Sequence, residues 1–197
     1  MMKGGCPPAL WTTSGLTDAL VNVPSREDVA LWVQHWHGLD ETCGLGHALK
    51  LEEALFSAVD SGEACSFRAA WAIALLTEAG AIKSTGLSGR LYALLHGAVS
   101  FSVQRELMRA LLMMAWSLEQ LDALTLWALD VVFLDEVPLS ALHHSLKVME
   151  RRMKIEEAPM SPGLSAAMED SLSHVRRTTG SAHAKKKAAL LMARLSE

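Results

Sequence analysis

The residues best suited to metal chemistry lie close together near the amino terminus. They are His35, His37, Cys43 and His47, whose imidazole and thiolate groups would suit zinc. His35 and His37 are two residues apart on a predicted helix, however, and so point about 200° away from each other. We therefore expect neither a metal site nor a cofactor, and we interpret these histidines as surface and interface residues.

The sequence also lacks the usual motifs of catalysis. It contains no glycine-rich phosphate loop, no nucleophile elbow and no paired His/Glu metal motif. The adjacent His143 and His144 point in different directions on a predicted helix, and the sequence predicts no Ser or Cys nucleophile paired with either of them. No catalytic residue is predicted, and the sequence favours a protein that is not an enzyme.

Arginines near aromatic residues form a second group of candidate binding residues. Arg68 precedes Trp71 by about one helical turn, and a guanidinium over an indole can hold an anion or stack on a base. Arg105 and Arg109 lie on the polar side of a later predicted helix. The alternative is structural: Trp71 fills the core, while Arg68 and Arg105 bridge neighbouring helices through carboxylates or helix-end carbonyls.

Positive charge is concentrated at the carboxyl end of the chain. The formal net charge is -4, yet residues 171–197 contain six basic residues and one acidic residue. Lys185, Lys186 and Lys187 lie near the start of a predicted helix, where they oppose its dipole. These lysines could contact an acidic partner or a nucleic-acid backbone, or they could form a solvated face that balances the acidic part of the same or a neighbouring molecule.

Composition and length indicate a folded protein with one sizeable core. The chain has 197 residues, of which 50% are hydrophobic and 20% charged. Three cysteines without repeated spacing predict free thiols in a reducing compartment. No apolar run approaches the roughly 18 to 20 residues that span a bilayer, and no secretory signal is recognisable. We therefore expect a cytoplasmic protein with no membrane partner.

The elements that must position these residues are all predicted to be helices. Residues 1–24 have little periodicity and are predicted to be an irregular lead-in, whereas apolar residues then recur every three or four positions. No segment shows the alternation of a strand, so the predicted class is all-α. The predicted helices span about residues 26–37, 45–61, 66–79, 86–97, 102–114, 119–134, 138–153, 162–178 and 181–195, with Ser66, Ser161 and Ser181 as caps.

The helical segments repeat along the chain. Residues 67–76 align with residues 104–113 at an offset of 37, and Arg68 and Arg105 occupy the same position in the two segments. Similar units begin about 40 residues further on. A helix pair cannot bury both of its faces alone and must stack on its neighbours, which predicts about four and a half stacked pairs.

These repeats resemble small bacterial HEAT-like proteins of the armadillo fold, whose activity is uncharacterised. The resemblance covers roughly residues 60–195 and depends on residues 66–71, 104–107 and 185–190. It implies a right-handed α-α superhelix of antiparallel helix pairs and supplies no catalytic residue. We predict that residues 25–197 form a single domain of such repeats. We expect a non-enzymatic module whose concave face, lined by one helix of each pair, receives a protein or peptide partner.

The alternative function is DNA binding, as in HEAT-like proteins related to alkylpurine DNA glycosylases. Those proteins hold a duplex with Trp and Arg side chains on a concave face, and Arg68 and Trp71 are of these types, while the lysines at 185–187 could contact the backbone of a nucleic acid. The negative net charge argues against this alternative. The oligomeric state stays open, although an exposed solenoid end can dimerise if its terminal repeat lacks a polar cap.

Overall fold

The all-α class is confirmed. The computed structural model describes residues 12–22, 25–36, 44–63, 65–98, 100–155 and 158–196. Within these ranges every regular element is a helix and no strand occurs. Most helix boundaries lie within a few residues of the predicted ones, because the apolar periodicity that marks them is a local property of the chain.

The chain divides after Met114 into two compact units. The first unit contains α1 (Thr13–Asn22), α2 (Arg26–Trp36), α3 (Leu45–Asp60), α4 (Ser66–Glu78), α5 (Leu87–Gly97) and α6 (Phe101–Met113). The second contains α7 (Leu118–Val132), α8 (Leu139–Met153), α9 (Pro162–Thr178) and α10 (Ala182–Leu195). The single repeat domain over residues 25–197 stays a prediction.

The irregular lead-in predicted for residues 1–24 is wrong where α1 forms. Thr12 caps this helix, since its Oγ1 accepts a hydrogen bond from the backbone N–H of Gly15 at 3.0 Å. Leu16 and Leu20 are fully buried, and α1 packs on α3 and α4. A ten-residue helix with two buried leucines shows too little periodicity to be recognised, and tertiary packing rather than helix propensity stabilises it.

In the first unit, α4 is the central helix. It packs on α2, α3 and α6, and α5 packs on α6. Ala70, Ile73, Ala74 and Leu76 of α4 have no exposed surface, so this helix is buried on most of its sides. Its small alanines allow neighbouring helices to approach closely on several faces at once.

Serine caps define three helix starts in the second unit. Ser117, Ser161 and Ser181 each accept a hydrogen bond from the backbone N–H three residues further on, which satisfies an amide that the helix leaves free. The caps predicted at Ser161 and Ser181 are confirmed. The cap predicted at Ser66 is wrong, because Ser66 lies inside the first turn of α4 and Cys65 occupies the capping position without a side-chain bond.

The second unit consists of two layers of helices. α7 packs on α8 and α9 packs on α10, while α7 also packs on α9 and α8 on α10. One layer is therefore formed by α7 and α9, and the other by α8 and α10. The buried residues between them include Leu129, Leu142, Leu146, Met149, Met168, Leu172, Val175, Ala188 and Leu191.

The described residues also test the predictions about membrane spans and free thiols. None of their helices combines the length and the apolar character that crossing a membrane requires. Cys65 is a buried free thiol, as predicted. Cys6 and Cys43 lie outside the described residues.

Candidate functional site

The two layers of the second unit differ in charge. The layer of α8 and α10 contains seven basic residues but only one acidic residue, Glu150. In the other layer, α7 has three acidic residues and no basic one, and the charges of α9 cancel. A chain with a net charge of -4 thus has one strongly basic layer. Its basic residues are Lys147, Arg151, Arg152, Lys185, Lys186, Lys187 and Arg194.

Glu150 joins the two helices of this layer. Its carboxylate lies 2.6 Å from Nζ of Lys187 on α10, 3.5 Å from Nζ of Lys154 and 3.9 Å from Nη1 of Arg194. The hydrogen bond from Lys187 lowers the pKa of Glu150; burial opposes this effect, and the nearby charges of Lys187 and Lys154 reinforce it. One carboxylate is shared among three cations, so the layer keeps an excess of positive charge.

A histidine pair also links α8 to α10. The ring centroids of His143 and His183 are 5.2 Å apart in an edge-on arrangement, and Nε2 of His143 is buried without a hydrogen-bond partner among the described residues. Burial lowers the pKa of His143, and the nearby His183 and Lys147 lower it further. His143 is therefore neutral at pH 7, and its protonation would add charge to a layer that is already positive.

Several cations of this layer are accessible to a partner. Lys147, Lys185 and Lys186 are exposed, and none of them pairs with a carboxylate of the described residues. Lys187 differs, because it is partly buried against Glu150. The exposed surface of α10 also includes Leu190, which is 56% exposed. We define the basic face as Lys147, Lys186, Lys187, Leu190 and Arg194.

In the first unit, Arg68 has a structural role. Its Nη1 donates hydrogen bonds to the backbone oxygens of Leu20, at 2.9 Å, and Val21, at 2.5 Å. These carbonyls belong to the last turn of α1, where the helix itself offers them no amide. Arg68 thus binds helix-end carbonyls, which was the structural alternative to anion binding.

Trp71 and Arg105 both contact the ring of Phe67. The Trp71 and Phe67 ring centroids are 5.6 Å apart, and the guanidinium of Arg105 lies 5.6 Å from the Phe67 ring centroid. Arg105 also pairs with Glu106 at 2.7 Å. All three side chains are partly exposed, so Trp71 packs at the edge of the core, and the contact of Arg105 with Phe67 links α6 to α4.

Arg109 is surrounded by carboxylates of the same unit. It pairs with Glu78 and lies 3.7 Å from Glu106, which is itself buried. Arg105 and Arg109 therefore balance Glu106 from both sides. The arginines predicted as binding residues in the first unit have internal partners, whereas Lys147, Lys185 and Lys186 of the second unit pair with no carboxylate of the described residues.

The lysines at 185–187 were predicted from sequence, but their neighbours on α8 were not. His143, Lys147, Glu150 and Lys154 recur at intervals of three or four, which places them on one side of α8. That spacing is visible in the sequence. It does not reveal that α10 lies alongside, which is what brings Lys187 to Glu150.

The histidines and cysteine near the amino terminus are only partly described. Nε2 of His47 is buried without a hydrogen-bond partner in the described ranges. His37, Cys43 and the side chain of His35 lie outside the described residues. In the part of the chain that the structure describes, no group of three or more His, Cys, Asp or Glu residues is placed to hold a metal ion.

Comparison of the chain with known proteins finds no relative. Neither a protein family, nor a curated protein, nor a solved structure matches the chain. The resemblance to HEAT-like proteins stays an expectation from the sequence, and the function is inferred from the geometry of the site.

Proposed function

We propose that the protein is a non-enzymatic interaction module, built as a short HEAT-like stack of helix pairs, which binds an acidic segment of a partner protein through the basic face. Two observations support the stack: helices pack within pairs, and they also pack on the helix two places further along. Repeat proteins bury their helical faces in this way. The right-handed superhelix, the membership of the HEAT-like family and a cytoplasmic location belong to the same proposal.

The separation of charge in the second unit carries the proposal. Where charges only stabilise a fold, cations lie among carboxylates, as Arg105 and Arg109 do around Glu106. The layer of α8 and α10 departs from that arrangement, because Lys147 and Lys186 are exposed and pair with no described carboxylate. Such a surface attracts a partner of opposite charge and orients it.

Leu190 favours a protein partner over a nucleic acid. It follows Lys186 by four residues and precedes Arg194 by four, so an apolar side chain lies between cations on one side of α10. An acidic segment with an apolar side chain of its own would complement both features. A duplex would offer mainly phosphates, and few cations of this face are free to neutralise them.

Binding can be measured with a fluorescein-labelled peptide in which leucines lie among glutamates. Fluorescence anisotropy with the full chain should show binding that weakens as salt rises, because exposed charges are screened. Lys147→Glu/Lys186→Glu should weaken binding by about tenfold. The matched control Lys50→Glu/Arg177→Glu makes the same change in net charge at exposed residues outside the face, and it should change the affinity less than about twofold.

Equal weakening by both double variants would contradict the proposal, as would no binding at low salt. DNA binding, which the exposed Lys185 and Lys186 keep as a second candidate, is tested with a short duplex under the same conditions. A duplex that binds more tightly than the peptide, and is released when Lys185, Lys186 and Lys187 are changed to Glu, would replace the acidic protein as the partner.

A further inference from the structure

A groove of about 670 Å³ lies in the second unit and shares no residue with the basic face. Its walls are the loop between α7 and α8 on one side, and the end of α9 with the turn into α10 on the other. Its apolar lining residues include Val132, Val137, Leu142 and Val175. A groove of this size can admit one or two large side chains of a partner.

Acidic residues border this apolar groove. Asp135 and Glu136 line it, both are exposed, and neither pairs with a cation of the described residues. Leu134 and Leu139 also line it and are each 48% exposed. Glu136 has a φ of 55°, a left-handed conformation that few non-glycine residues adopt. The loop thus presents two leucines together with two carboxylates.

The hydroxyl groups around the groove already have partners within the unit. Thr178 Oγ1 donates to the backbone oxygen of His174, at 2.8 Å. Thr179 Oγ1 accepts from the N–H of Ser181, and Ser181 Oγ accepts from the N–H of Ala184. The carboxylates therefore provide the unsatisfied polar groups at the rim. They select an occupant that is apolar and positively charged.

The last described helix of the chain has this complementary chemistry. Its exposed residues include the apolar Leu190 and Ala193 and the basic Lys185 and Lys186. α10 thus exposes apolar surface next to lysines.

We propose that the groove of one molecule receives α10 of a second copy, so that molecules associate head to tail. Leu190 enters between Leu134 and Leu139, and the lysines approach Asp135 and Glu136. The contact must form between copies, because Ala184, Ala188 and Leu191 hold α10 against its own unit. Two different surfaces meet in such a head-to-tail contact, and its repetition links molecules into rings or open chains.

This inference deepens the proposed function. It rests on the proposed function in one respect, because α10 must prefer a segment that is both acidic and apolar. It identifies that segment as the α7–α8 loop of another copy. Because the contact is small, the association is weak and depends on protein concentration. An added acidic peptide therefore competes with it.

Analytical ultracentrifugation of the full chain tests the contact through a charge exchange. The weight-average sedimentation coefficient of the unchanged protein should rise with concentration by about 1.5-fold. Asp135→Lys/Glu136→Lys and Lys185→Glu/Lys186→Glu should each abolish the rise, because groove and helix then carry like charge. An equal mixture of the two variants should associate again, since the reversed groove of one meets the reversed helix of the other.

Glu169→Lys/Asp170→Lys is the matched control, because it reverses two exposed acidic residues of α9 that do not line the groove. It should associate like the unchanged protein. Leu190→Ser provides a second variant that changes no charge, and it should also abolish association. Circular dichroism confirms that each variant keeps its helices.

Three results would overturn the head-to-tail contact: an unchanged protein that stays monomeric at all concentrations, a groove variant that still associates, or a mixture that stays monomeric. Binding of a lysine–leucine peptide to a monomeric chain through Asp135 and Glu136 would overturn it in favour of a foreign basic segment. The anisotropy experiment with the glutamate–leucine peptide is independent of these results. If the protein binds that peptide but stays monomeric, only the head-to-tail contact is contradicted. If the protein does not bind the peptide, the proposed function is contradicted.

Discussion

Arg152 and Asp122 form an ion pair whose two members differ in their access to water. Arg152 is 1% exposed, and its Nε donates a hydrogen bond to Asp122 of α7. Its Nη1 donates to the backbone oxygen of Ala158 at 3.0 Å. The Asp122 side chain is 38% exposed. Water can therefore solvate Asp122 when its partner is lost, but water cannot reach Arg152 in the same way.

This asymmetry predicts which variant of the pair is worse. Asp122→Ala should lower the free energy of unfolding by about 3 kcal/mol, because it leaves a buried guanidinium without its counter-charge. Arg152→Met should cost about 1 kcal/mol, because it removes the buried charge and leaves a solvated carboxylate. Urea denaturation of the two variants measures the difference. If Arg152→Met lowered the free energy of unfolding more than Asp122→Ala, the ion pair would not be the main contribution of Arg152 to stability.

His143 and Glu150 make the stability of the second unit depend on pH in the same direction. The pKa of His143 is lowered in the folded chain by burial. The contribution of His143 to the free energy of unfolding is therefore complete above pH 6.5, its ordinary pKa, and decreases as the pH falls below that value. The pKa of Glu150 is lowered mainly by the hydrogen bond from Lys187, so its contribution is present above 4.5 and is lost as the pH falls through the folded pKa. Stability should therefore decrease from near pH 6.5 downward in two stages.

The two stages can be separated with single variants. His143→Gln should flatten the decrease that begins near pH 6.5, and Glu150→Gln should flatten the part below about pH 4.5. Thermal unfolding followed by circular dichroism over this pH range records both effects. A profile of His143→Gln that matches the unchanged protein would show that this histidine does not titrate on unfolding.

At the scale of elements, α1 depends on one arginine of another helix. Arg68 donates to the carbonyls of Leu20 and Val21 at the end of α1. Arg68→Met should lower the free energy of unfolding by about 2 kcal/mol, because it removes hydrogen bonds from a charged donor. It should also speed amide hydrogen exchange within α1 more than in α3.

Arg90→Met is the matched control for that prediction. Arg90 pairs with Glu53 at 2.6 Å, but the Glu53 side chain is 60% exposed, and exposed pairs contribute less than about 1 kcal/mol. Its variant should leave exchange in α1 unchanged. If both variants accelerate exchange in α1 equally, Arg68 stabilises the first unit as a whole rather than this helix.

At the scale of the whole molecule, the second unit has a core of its own. Leu146, Met149, Leu172 and Leu191 pack together within residues 115–197. We predict that residues 115–197 expressed alone are helical and unfold cooperatively, since nearest-neighbour contacts stabilise stacked helix pairs. Asp122→Ala should destabilise this fragment by about the same 3 kcal/mol as in the full chain. Circular dichroism during urea titration is the measurement, and a fragment without a cooperative transition would contradict the prediction.

The sequence by itself determined the all-α class, most helix boundaries and the caps at Ser161 and Ser181. These features depend on residues within one or two turns of each other, so apolar spacing and a serine before a helix are enough to predict them. It also located the lysines at 185–187. It missed α1, because Leu16 and Leu20 alone mark its buried side.

Only the tertiary structure decided which charges remain available. In sequence, Arg68 and Lys187 look as free as Lys186, but packing brings Arg68 to the carbonyls at the end of α1 and places Lys187 against Glu150. Such pairings join residues that are far apart along the chain, and local spacing carries no information about them. The basic layer exists because α8 lies beside α10, and that arrangement follows from the burial of their apolar sides against the same core.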